Sequence, residues 1–287
     1  MFEAMKTTQG PFDRTNETPS PQSIASYQAF HFTRLKENWF SKGVSKSAEL
    51  ITMLSLSAIL LGSSIFFSNT FGAASLMPAT VTGVFEHGEY WRLWTAIFAH
   101  ADLGHLLSNM LLFVPFAYFL NGYFGSFLFP LLGFVTGGLA NYLTLKTMGS
   151  GGSLIGASGV VFWMGASWLT LYVLVETKES FRRRLGKALA IGAALFLPQS
   201  FEPNISYACH FFGFGIGILS AASFYYLNQA EFKAADVYET VVEEPESWEY
   251  NPSADSRAIM LRPDFSQALP RELDSRYSPS LQRCRTC

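Results

Sequence analysis

Six apolar runs break up an otherwise polar chain, at 50–71, 103–120, 124–145, 153–175, 185–198 and 205–227. Most come near the ~20 residues that a helix needs to cross a bilayer, and the fifth is short for a full span. The pattern predicts an all-α membrane protein: a six-transmembrane-helix bundle with an interfacial loop between helices 1 and 2. That connection, "GAASLMPATVTGVFEHGEYWRLWTAIFAH", mixes Pro, Gly, charges and aromatics, which suits the membrane interface better than a crossing. No internal repeat is visible, which speaks against a transporter of duplicated halves.

The flanks are different material. Residues 1–47 read as a polar, cytoplasmic N-terminal tail, 48–228 as the six-helix core, and 229–287 as a C-terminal cytoplasmic tail without fixed structure. A polar stretch of nearly fifty residues precedes the first run, so no cleavable signal peptide is expected. Lys and Arg set the orientation. Lys178, Arg182, Arg183, Arg184 and Lys187 fall between runs four and five, and Arg34, Lys36, Lys42 and Lys46 precede run one. The opposite loops carry almost none. The bias predicts both termini in the cytoplasm of a multi-pass protein of the cell membrane, the parity that six spans require. The "RRR" run by itself reads as a solvated loop.

Composition narrows the class. Hydrophobic residues make up 49% of the 287 and charged residues only 15%, against the ~25% usual for soluble domains. The net charge of −2 gives no field for a nucleic-acid partner. Three cysteines, Cys209, Cys284 and Cys287, are too few for a disulfide framework or a four-ligand zinc site. The terminal "CRTC" reads as free thiols on a reducing tail.

Polar groups inside spans are rare and usually functional. The candidates are His105, the one ionisable residue in runs two to four, with Asn109 in run two, Ser158 in run four and His210 in run six. Runs two, four and six all start at the outer face, so the four groups reach a similar depth, very roughly 5–12 Å below it. His105 and Asn109 are four apart and share a helix face. His100 and His105 are five apart, which suits a shared metal poorly; with no HExxH pattern and no deep carboxylate, neither a metal nor another cofactor is expected. What remains is nucleophilic chemistry. A serine hydroxyl needs a base to take its proton, and neutral imidazole serves near pH 7. Gly156 and Gly159 beside Ser158 allow close approach of backbone or substrate, and Gly213 and Gly217 form a GxxxG seam that would press run six against run four. Phe162, one turn past Ser158, shares its face. An oxyanion could be held by the Ser158 N–H, His105 and Asn109. Each feature has a structural reading taken alone: packing seam, core histidine or interhelical glue. Their meeting at one depth favours the catalytic one.

Together, "YWRLWTAIFAHADLGHLLSNM", "GASG" and "ACHFFGFGIG" resemble the Trp-Arg loop with its HxxxxHxxxN element, the nucleophile motif and the AHxxGxxxG element of the rhomboid intramembrane serine proteases. The likeness covers about 50–228. It implies a six-helix core of the basic bacterial type and a Ser158–His210 dyad, with His105 and Asn109 at the oxyanion and His100, Trp91 and Arg92 as structural members. It further implies cleavage of other membrane proteins in or beside a transmembrane helix, at small residues above a helix-destabilising stretch. The partners implied are transmembrane-helix substrates and the lipid bilayer. The chain departs where the family often has Gly and, four residues on, Glu: here stand Ala117 and Asn121. Trp163 replaces a common Gly after "GASGxxF". A non-catalytic adaptor that binds membrane helices is the alternative reading, and a small-solute channel lined by His105, His210 and Asn109 a more distant one.

Overall fold

Lipid offers backbone groups no hydrogen-bond partner, so apolar runs close their bonds within helices. The computed structural model describes residues 30–197 and 206–243. α1 is Ser47–Phe67, followed in the interfacial connection by two one-turn helices, α2 (Ala73–Leu76) and α3 (Arg92–Thr95). Then come α4 (Leu103–Phe124), α5 (Gly133–Lys146), α6 (Ser158–Val175), α7 (Phe181–Phe196) and α8 (Tyr207–Ala234). α1, α4, α6, α8, and α5 together with the turn before it are long and apolar enough to span, at 18 to 28 residues each. The chain is thus a helical, multi-pass integral membrane protein. α7 has 16 residues, about 24 Å of helix, short of the ~30 Å hydrocarbon core. Residue 198, the end of the fifth apolar run, and residue 205, the start of the sixth, lie outside the described residues.

α6 is the central helix. Within the spanning windows, 72% of α6 is buried against 17% of α1, and α6 packs on α4, α5, α7 and α8. The α6–α8 seam is closest because Gly213 and Gly217 face α6. A methyl added at Gly217 would lie 2.5 Å from the Trp163 carbonyl oxygen, and one at Gly213 would overlap the carbonyl of Gly159. The large Trp163 is accommodated by its neighbours. Its indole is fully buried, lies where a side chain on Gly133 would go, and donates from Nε1 to Ser220 Oγ at 3.2 Å. Asn121, in the place of the family's Glu, donates from Nδ2 to the Phe129 carbonyl at 2.9 Å and to Ser126 Oγ at 3.0 Å. It thereby anchors the turn between α4 and α5.

Two small sheets tie the ends of the helices. β2 (Ala79–Thr80) pairs antiparallel with β3 (Ser153–Leu154), Ala79 opposite Leu154, and so fixes the interfacial connection to the segment ahead of α6. β1 (Phe30–Glu37) pairs with β4 (Val237–Glu243), with Arg34 Nη2 2.6 Å from Glu239 Oε1. Regular structure therefore reaches into both segments expected to be tails, and α8 continues to Ala234. Arg182, Arg183 and Arg184 lie in the first turn of α7, where a solvated loop was expected.

Candidate active site

Ser158 opens α6, where the sequence pattern placed it about five residues into a longer helix. The apolar run from 153 hides a break. Gly156 has φ +112, a backbone that L side chains rarely adopt, and its N–H bonds the Ala96 carbonyl at 2.8 Å. A helix entered this way leaves the N–H groups of its first turn without intrahelical acceptors. Ser158 thus stands at a donor-rich, electropositive helix end.

His100, fully buried, holds that entry in place. Ser63 Oγ donates to the Phe98 carbonyl at 2.9 Å and lies 3.0 Å from His100 Nδ1. The Ala157 N–H donates to His100 Nε2 at 3.4 Å. The network is self-consistent only for the neutral ring with its proton on Nδ1. Burial, and to a lesser degree neighbouring His105, pushes the His100 pKa down to about 4, against a smaller opposite pull from the Phe98 backbone. α1, the interfacial connection and the residue before Ser158 are tied through this one side chain.

His105 is set by the cap of α4: Asp102 Oδ1 accepts from the His105 N–H at 2.8 Å. Its ring packs edge-on against His100, centroids 5.1 Å apart, and lies over Gly156, where an added methyl would be 2.7 Å from Cε1. Asn109, one turn on and buried, donates from Nδ2 to the His105 carbonyl at 2.9 Å, which leaves its second N–H for another acceptor. His210 sits in the first turn of α8, whose cap Ser206 accepts from the Cys209 N–H at 3.4 Å. Its ring lies flat on Phe162, centroids 3.9 Å apart and planes inclined by 13°. Phe162 is one turn past Ser158. His210 is 6% exposed, and among the described residues neither ring nitrogen has a hydrogen-bond partner, so the hydroxyl–imidazole bond is not formed in this geometry.

Ser158, His105 and Gly156 line a cavity of about 320 Å³ together with Asn141, Ser206 and Cys209. Asn141 and Ser206 lie outside the sequence motifs quoted above. Asn141 Nδ2 donates to the Leu93 carbonyl at 2.7 Å, and its Oδ1 accepts from Cys209 Sγ at 3.5 Å. A buried asparagine in the third apolar run was the available signal. Arg92 and Trp91 stand apart from the cavity. Arg92 Nε donates to Glu89 at 2.6 Å, and its Nη1 donates to the Ser75, Leu76 and Pro78 carbonyls; Trp91 is half exposed. Among the described residues, no group of three His, Cys, Asp or Glu side chains is placed to hold a metal.

The chain is similar to known proteins over most of the described helices. The Rhomboid domain family matches residues 87–227. The Bacillus subtilis (strain 168) protein named "Putative rhomboid protease YdcA" is 32% identical over 171 residues, 58% of this chain and 83% of that protein. "RHOMBOID-like protein 1" of Arabidopsis thaliana is 29% identical over 139 residues, 48% of this chain and 36% of its own length. A bundle of spanning helices whose central member starts on GASG beside two histidines, matched over most of a relative's length, places this chain in the rhomboid family of intramembrane proteases.

Proposed function

We propose that this protein is an intramembrane serine endopeptidase in which Ser158 is the nucleophile and His210 the general base. The observation that supports this best is the pairing of α6 with α8 at the level of Ser158. The stack lays an imidazole, whose nitrogens have no partner among the described residues, on Phe162, the residue one helical turn past Ser158. A buried histidine with neither nitrogen bonded is costly as a purely structural residue. It is intelligible as a base whose partner comes into line when substrate binds, since catalytic hydrogen bonds are often long before that.

In the proposed reaction, Ser158 Oγ attacks the scissile carbonyl while His210 takes its proton. The oxyanion is met by the Ser158 N–H at the start of α6, the His105 ring and the second N–H of Asn109. His210 then protonates the leaving amine, and water hydrolyses the acyl-enzyme with His210 again as base. His100 does not touch the reacting atoms: it positions the peptide ahead of Ser158. Substrates are transmembrane segments of other proteins, whose peptide bonds must unwind locally before attack. Both termini are proposed to lie in the cytoplasm, with the Ser158 end of α6 toward the opposite face. The test is co-expression of a reporter membrane helix with wild type, Ser158→Ala or His210→Ala. Cleavage by wild type alone is expected. Cleavage by Ser158→Ala would refute the mechanism, and a normal cellular function of that variant would favour an adaptor.

A further inference from the structure

A groove lies along α6 toward the end remote from Ser158. Positions 181, 185, 188, 189, 192, 193 and 196 of α7 share one face, a stripe at helical spacing, while Ile191 and Leu195 lie off it. The stripe does not close fully on α6 and α8. Between them remains an apolar groove of about 590 Å³, lined among others by Leu169, Val173, Phe181, Leu189, Ala193 and Phe214. At the end of the groove opposite Ser158, the segment 176–187 holds five basic side chains against two acidic ones, a net of three positive charges. The charge sits at the groove mouth itself: the Arg184 guanidinium lies 5.7 Å over the ring of Phe181, a lining residue, and its Nη1 donates to the Glu176 carbonyl. Arg182 and Arg183 are exposed on the same turn. The two acids are engaged. Glu179 pairs with Lys187 at 2.5 Å, and Glu176 accepts from Asn38 Nδ2 at 2.6 Å. An apolar slot along α7 with arginines at one end complements an amphiphile with a hydrocarbon chain and an anionic head.

We infer that the α6–α7–α8 groove is a binding site for an anionic phospholipid, one acyl chain lying along α7 and the phosphate held by Arg182 and Arg183. The inner end of the groove connects to the proposed catalytic layer through Phe196, whose ring lies 4.7 Å from that of Phe162. Occupancy there braces α7 against the helix that carries Ser158.

The test is native mass spectrometry of the full chain released from nanodiscs of mixed phosphatidylglycerol and phosphatidylcholine. Wild type is expected to retain phosphatidylglycerol preferentially. Arg182→Gln with Arg183→Gln should lower that retention by roughly tenfold or more, since each basic group near a charged lipid surface contributes several-fold. Ala193→Trp fills the groove, keeps every charge, and should lower retention comparably. Equal retention of the two lipids by wild type would overturn the proposal without needing either variant. Undiminished phosphatidylglycerol on Ala193→Trp would also overturn it, as it would show headgroup attraction without a groove.

Discussion

The account requires α8 to approach α6 with no side chain between them at the level of Ser158, and Gly213→Ala probes that directly. The added methyl would overlap the carbonyl of Gly159, the residue after Ser158. That obstacle is backbone, so no rotamer relieves it. At Gly217, one turn deeper, the same methyl would sit 2.5 Å from the Trp163 carbonyl oxygen, about 1 Å inside an ordinary contact of ~3.5 Å. The helices must therefore part by about 1 Å or tilt. Overpacking of this kind costs about 1–3 kcal/mol, against a gain of up to about 1 kcal/mol for Ala over Gly within a helix. The net effect on stability is modest. Activity should suffer far more, because a displacement of ~1 Å between nucleophile and base costs about 100-fold in rate. The assay is cleavage of a reporter helix by purified enzyme, with thermal unfolding measured in parallel. Gly215→Ala is the internal control: it lies on the same helix, and an added methyl meets nothing within 4 Å. It should leave rate and stability near wild type. If Gly213→Ala cleaves at the rate of Gly215→Ala, the close seam is not what aligns the site.

Three further outcomes follow from single contacts. His100 is held neutral with a pKa of about 4 in the fold against 6.5 when free. Its contribution is complete above pH 6.5 and drains away as pH falls toward 4, on the order of 3 kcal/mol in all; thermal unfolding from pH 7 to 4 should show this, and His100→Gln should flatten the profile. Asn121→Ala strips the donors from the Phe129 carbonyl and Ser126 Oγ; a loss of about 1–3 kcal/mol is expected, with unchanged activity per folded molecule. Arg92→Lys keeps the charge but not the fork that reaches Glu89 and three carbonyls. Limited proteolysis should then cut the interfacial connection several-fold faster, while serine-probe labelling persists.

What the sequence made legible was whatever has a local period. Apolar runs marked the spanning helices, and the spacing of polar groups placed His105, Asn109, Ser158 and His210 near the starts of α4, α6 and α8. The start of α6 was misread because Leu154 and Ile155 continue the hydrophobic run; only the positive φ of Gly156 ends it, and an apolar window cannot register a dihedral angle. The β1–β4 pair was invisible for a different reason: its strands are some 200 residues apart and gain their order from each other. Long-range polar ties such as Ser63 to His100 and Cys209 to Asn141 were equally hidden. The departures from the family pattern gained their meaning from neighbours. Trp163 is read correctly only beside Gly133 and Ser220, and Asn121 only beside the turn that it anchors.

The central claim is that an imidazole on α8 activates the hydroxyl that opens α6. Labelling with a fluorophosphonate probe, with the modified residue located by peptide mass spectrometry, tests it most directly. The account predicts one adduct, on Ser158, in wild type and its loss in His210→Ala, with both proteins showing the same unfolding temperature. An adduct on another serine, or undiminished labelling of Ser158 without His210, would contradict it.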